Sequence, residues 1–222
     1  MPQGLRSTFD RTFREIRDDL IQMSQMIDWA LEHAMQALQD RNVPLAEEII
    51  ARDEQVNQLR FKVEESCLTL IATQQPAAGD LRAVVAAIHM VVEMERIADH
   101  AAGIAKTVIL MGEEPLLKIQ KKIFKMGELS RQMLADCVQA FLKRDANWAR
   151  EIAAKDEEMD DLYKAVFDRL VETMAKQPEM ITRATYLMWC AHNLERIADR
   201  VTNIAERVIF MATGDLKELN VG

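Results

Sequence analysis

A glutamate and an aspartate four residues apart occur twice in the chain within one identical phrase, Glu95-Arg96-Ile97-Ala98-Asp99 and Glu195-Arg196-Ile197-Ala198-Asp199. On a helix this spacing sets both carboxylates on one side, where their oxygens can share a ligand. Three outcomes compete for such acids. An Arg or Lys from another helix neutralises each in a salt bridge, the pair shares a proton, or oxygens from two helices hold a hard or borderline cation such as Mg²⁺, Mn²⁺ or iron. Asp53 and the pair Asp156-x-x-x-Asp160 offer facing oxygens near the edge of the preceding helix in each half. Ordinary solvated acids are the plain alternative there. The first copy lacks one charge, because Asn57 stands where the second has Asp160 and supplies only an amide oxygen.

The helical wheel sharpens the question. At about 100° per residue, Arg82, His89, Glu93, Arg96, His100 and Thr107 fall in one polar arc, the expected solvated stripe of the third helix. Glu95, Asp99 and Lys106 fall instead among Leu81, Val84, Ile88, Val91, Val92, Ala98 and Ala102. In the last helix Arg196, Arg200 and Arg207 share a polar arc with Asn193, an edge that could meet an acidic partner surface. There Glu195, Asp199 and Glu206 line up with Ala184, Met188, Ala191, Ala198 and Ile209. Carboxylates placed off a solvated stripe must be paired, protonated or metal-bound.

The elements that carry these acids follow from where the chain is interrupted. Turn residues cluster at Asn42-Val43-Pro44, Gln75-Pro76 to Gly79, Gly112-Glu113-Glu114-Pro115, Arg144-Asp145-Ala146-Asn147, Gln177-Pro178 and Gly214-Asp215. Between them the pattern predicts six long antiparallel helices joined by short connections. Ala34, Ala37, Ala46, Ile49, Asp53, Val56 and Leu59 match Cys137, Ala140, Ala149, Ile152, Asp156, Met159 and Leu162, so the chain is a duplicated half. The expected fold is all-α, two sequence-repeated three-helix bundles, with a first repeat over 1–112 and a second over 113–222. The methionines of the buried stripes read as core filler.

Composition agrees and removes other classes. With 49% hydrophobic residues, only 7 Gly and 5 Pro, the chain has material for a helical core and little for a loop-rich fold. A net charge of −8 disfavours sequence-independent binding to nucleic acid or anionic lipid. Cys67, Cys137 and Cys190 lie in apolar helical stretches without a C-x-x-C pair, so buried thiols in a reducing compartment are expected. No secretory h-region or membrane-spanning run is present, and a soluble, cytoplasmic protein is expected. His33, His89, His100 and His192 follow Ala, Ala, Ile and Trp at the third preceding position, which excludes the Glu-x-x-His of di-iron bundles. His192 falls one turn before Glu195 and could approach a site there. No phosphate loop, Ser-His-Asp set or zinc-finger spacing is readable.

The run Cys67-Leu68-Thr69-Leu70-Ile71-Ala72-Thr73-Gln74-Gln75-Pro76, the following Asp80-Leu81-Arg82, both Glu-Arg-Ile-Ala-Asp phrases and the duplicated Asp53/Asp156 region resemble the PhoU family over nearly the whole chain. The resemblance implies an accessory regulator of high-affinity phosphate transport, built from two symmetry-related three-helix bundles. It implies metal clusters in which Glu95, Asp99, Glu195 and Asp199 match the third-helix motif and Asp53, Asp156 and Asp160 the partner motif. The ion expected is iron, Mg²⁺, Mn²⁺ or Zn²⁺. Asn57 and Gly103, the latter opposite Asn203, depart from the pattern and set the two sites apart. The implied partners are the transporter's ATPase subunit and the phosphate-sensing histidine kinase, with no nucleic acid and no direct membrane insertion. The implied place is the cytoplasm, with attachment at the inner face of the membrane only through those proteins, as a homodimer. A non-enzymatic adaptor is expected; a dinuclear carboxylate bundle with redox or metal-storage activity, and a purely structural scaffold, are the competing classes.

Overall fold

A computed structural model describes residues 3–112, 117 and 119–215. Among them the chain folds into helices α1 (Gln3–Asp40), α2 (Val43–Gln74), α3 (Ala78–Met111), α4 (Gln120–Lys143), α5 (Ala146–Ala153), α6 (Asp156–Lys176) and α7 (Ile181–Thr213), with one 3₁₀ turn at Pro178–Met180. No strand occurs among the described residues, and none of the described helices is long and apolar enough to cross a membrane. Of the expected interruption at Gly112–Pro115, Gly112 ends α3, and 113–116 lie outside the described residues.

The turns repeat their chemistry. Arg41 and Arg144 both take φ of 54°, a left-handed step that ends α1 and α4. The next residue then caps the following helix. Asn42 accepts the backbone N–H of Leu45 at 3.1 Å, and Asp145 accepts those of Asn147 and Trp148 at 3.0 Å. Each cap satisfies amides that a helix start leaves unpaired. Replacing Asp145 by Ala is expected to cost about 1 kcal/mol, read as a lower urea midpoint at unchanged slope; no change would show that the cap is dispensable.

One boundary differs from the sequence expectation. The second helix of the second half is not continuous: a turn at Ala154–Lys155 separates α5 from α6. Lys155 N–H bonds to Ile152 and Glu158 N–H to Lys155, a tighter pattern than the α-helical one. No Gly or Pro signals it. Instead Asp156, Glu157 and Glu158 fill the first turn of α6, where the partial positive charge of a helix start favours acids.

A single buried cluster runs through both halves. The most extensive packing joins α3 to α7, and α1 and α4 also pack on each other and on this pair. The α3–α7 pair is antiparallel and nearly self-matching. Glu93 accepts from Asn203 (3.2 Å) and Arg200 (3.4 Å); at the matching positions the Asn193 side-chain oxygen accepts from His100 Nδ1 (3.0 Å) and packs against Gly103. A Cβ at Gly103 would lie 2.9 Å from the Asn193 side-chain oxygen, so the missing side chain is what lets the helices meet. The polar arc of α3 is therefore a solvated stripe only in part: His89 and Arg96 are exposed, the others are not. Thr107 is buried, and half-buried Glu93 and His100 form a hydrogen-bonded seam with α7.

The cysteines are free and buried, as their setting predicts. Burial pushes the thiols of Cys67 and Cys190 up to about 12, and Cys137 rises as well. Since the thiolate is the nucleophile, the native protein should resist alkylation by iodoacetamide until unfolded. Rapid labelling under native conditions would contradict this packing.

Candidate functional site

Helix pairs α2–α3 and α6–α7 bring the predicted acids into two clusters. Asp53 of α2 faces Glu95 and Asp99 of α3: burial, then repulsion from Asp99, pushes the Asp53 carboxyl above its ordinary range, with Lys106 opposing. Glu95 is pushed up by burial first and by Asp99 next, against the pull of Arg60 and Arg96. In the second cluster Glu195 is raised by burial, then by Asp199, with Asp160 and Asp156 adding to it. Asp160 is raised by burial and by Asp199. Groups that disturb one another's protonation across two helices share one electrostatic site. The four acids that the wheel treated, Glu95, Asp99, Glu195 and Asp199, thus meet Asp53, Asp156 and Asp160 of the facing helices. Their exposure differs: Asp156 is buried, Glu95 and Glu195 half-buried, Asp99 and Asp160 exposed.

The neutralising partners differ between the clusters. Arg60 crosses from α2 to place Nε 4.0 Å from Glu95 and a terminal nitrogen 3.5 Å from Glu64. In the second cluster the cation comes from the same helix, Arg196 lying 2.7 Å from Asp199 and 3.6 Å from Glu195. His192 joins here, its Nδ1 3.5 Å from Glu195 Oε2, and the Tyr163 ring stands 6.2 Å from the imidazole. Glu195 Oε2 is buried and accepts no hydrogen bond. Arg60 and Tyr163 escape the wheel analysis, which treated only α3 and α7. The signal was present, for they follow Asn57 and Asp160 by three residues on the same face.

The basic edge of the last helix is engaged within the chain. Arg196 pairs with Asp199, Arg200 with Glu93 across the seam, and Arg207 with Glu206 at 3.8 Å. These arginines thus pair within their own chain, and Arg196, 44% exposed, is the one most open to solvent.

Carboxylate oxygens with a nearby imidazole are the donors that hard and borderline divalent ions take, and the orphaned Glu195 oxygen suits one in the second cluster. Among the described residues, however, no three His, Cys, Asp or Glu side chains already converge on one point. Any ion between α6 and α7 would require the carboxylates of Asp156, Asp160, Glu195 and Asp199 to rotate inward.

Comparison with known proteins places both halves in one sequence family. A model described as the PhoU domain matches residues 20–108 and again 123–208. The chain is 35% identical over 216 residues to a protein of Streptococcus pneumoniae named "Phosphate-specific transport system accessory protein PhoU homolog", covering 97% of this chain and 100% of that one. A homologue of the same name from Aquifex aeolicus is 35% identical over 206 residues, 93% of each chain. Two crystal structures have closely similar folds. The phosphate transport system regulatory protein PhoU from S. pneumoniae superposes with a TM-score of 0.89 at 34% identity, over 95% of this chain and 100% of that one. PhoU from Pseudomonas aeruginosa superposes with a TM-score of 0.89 at 31% identity, over 93% and 100%.

Proposed function

The chain belongs to the PhoU family, and from that premise we propose that this accessory and regulatory protein of phosphate transport restrains the transporter and the sensor kinase when phosphate is plentiful. The observation that supports the reading is the match of both halves to one domain, within a relative of nearly equal length named as an accessory protein of phosphate-specific transport. The physical means is docking rather than chemistry. A rigid helical body binds one state of a partner better than another and shifts its equilibrium by that difference. Long helices sharing one core present such a body.

The partners proposed are the ATPase subunit of the transporter and the phosphate-sensing histidine kinase, met in the cytoplasm by a homodimer. The acids between α6 and α7 would hold a divalent ion or iron, bracing the two helices or completing a partner contact. Because the ligands must be ionised, occupancy falls as pH falls.

Alkaline phosphatase in phosphate-rich medium tests the regulatory reading. A strain without this gene is expected to express the enzyme strongly, and restoring the gene is expected to silence it. Strong expression that persists in the restored strain would remove the proposal.

A further inference from the structure

The two acid clusters are built on matching positions but are equipped in opposite ways. Asn57 stands against Asp160, Arg60 against Tyr163, Val92 against His192 and Lys106 against Glu206. Every difference moves the first cluster in one direction: two acids are missing, two cations are present, and a nitrogen donor is missing. At the six matched positions 53, 57, 60, 95, 99 and 106 the first half has three acids and two cations, whereas the second half has five acids and no cation.

Geometry makes the contrast physical. The Arg60 side chain is 21% exposed, lies against the ring of Phe61, and reaches Glu95 from the facing helix. Lys106 lies about two turns beyond Asp99 on the same face of α3 and is exposed. A metal ion entering between α2 and α3 would have to displace a half-buried guanidinium held between Glu95, Glu64 and the Phe61 ring. Two cations brought together in such a place repel with little screening. In the second half Tyr163 occupies the place of the guanidinium, and Glu195 Oε2 has no hydrogen bond to give up. The competing Arg196 is 44% exposed and can turn into solvent.

We propose that Arg60 is the built-in counter-ion of the first acid cluster, so that this chain takes metal only between α6 and α7. The first half thus keeps the acids of a metal motif but fills the role of the ion with its own side chain. This narrows the metal reading given above and rests on it only for the second half.

The test uses the full chain, stripped with a chelator, reloaded with Zn²⁺ or Mn²⁺ and analysed for bound metal per folded protein. The pair of changes Asp53→Asn and Glu95→Gln is expected to leave bound metal unchanged; loss of metal would overturn the proposal. Asp160→Asn with Glu195→Gln is expected to abolish binding, and metal retained there would overturn it equally. Converting the first cluster to the second, by Asn57→Asp, Arg60→Tyr and Lys106→Glu, is expected to raise bound metal about twofold, with ionised carboxylates supplied and cations removed. Asn57→Asp with Arg60→Lys, which keeps both cations, is the control and should gain nothing. If the parent chain binds no ion, the metal reading of the second half fails by itself. The converted chain then decides the first half alone, a gain supporting the counter-ion role and no gain overturning it. Circular dichroism of each variant separates lost binding from lost folding.

Discussion

Replacing Ile197 by Ala should lower stability by about 2–4 kcal/mol and the melting temperature by about 5–15 °C, in one cooperative transition. Ile97 and Ile197 are both fully buried, at matched positions of the antiparallel α3–α7 pair. Removing either side chain leaves a hole where two close-packed helices meet, and such a site relaxes little. The cooperativity follows from where the hole lies. Apolar residues of α1, α3, α4 and α7 belong to one cluster, and the α3–α7 seam is pinned by Glu93 with Arg200 and Asn203. Neither half can lose its third helix without exposing the core of the other. Urea denaturation followed by tryptophan fluorescence and by circular dichroism should therefore give coincident curves for Ile97→Ala and Ile197→Ala. Two separated transitions, only one of them shifted, would show that the halves fold independently and that the shared core contributes little.

Much of this arrangement was legible in the residues. The Glu-Arg-Ile-Ala-Asp phrases fix which helices carry the acids, and each capped turn announces itself through Asn42 or Asp145. The six predicted spans match the observed helices apart from the turn at Ala154–Lys155, which uses neither Gly nor Pro and arises from an acidic first turn. The α3 stripe was misjudged for a deeper reason. A wheel ranks faces by polarity, and a helix interface built from Glu93, His100, Asn193, Arg200 and Asn203 is as polar as a face turned to water. Only pairing partners on the other helix distinguish the two. The same blindness hid Arg60, whose significance depends on Glu95 across the bundle rather than on its own neighbours in sequence.

Glu195→Gln should stabilise the protein at neutral pH, on the order of 1 kcal/mol for relief of repulsion between partly solvated like charges, and the gain should vanish in acid. Burial and then Asp199 push the Glu195 carboxyl up. A carboxyl with a raised folded-state value holds more proton when folded than unfolded between its two values. Its contribution is therefore fully favourable below the ordinary carboxylate range of about 4, and is lost as pH rises through the folded value. At neutral pH the ionised group strains the fold, and an amide of the same shape removes the strain. Urea midpoints measured from neutral pH down to about pH 4 should show the two proteins converging. Glu95→Gln should behave differently, because Glu95 is the counter-charge of Arg60, whose Nε is buried without a hydrogen bond. There the relief of repulsion from Asp99 is offset by a guanidinium left with Glu64 as its one acid, and no gain is expected. A Glu195→Gln protein less stable than its parent at neutral pH would mean that the Arg196 contact outweighs the repulsion and that the acid serves the fold. The expected gain means the reverse: a residue whose removal steadies the molecule is not explained by stability, and its role lies in what the second cluster binds.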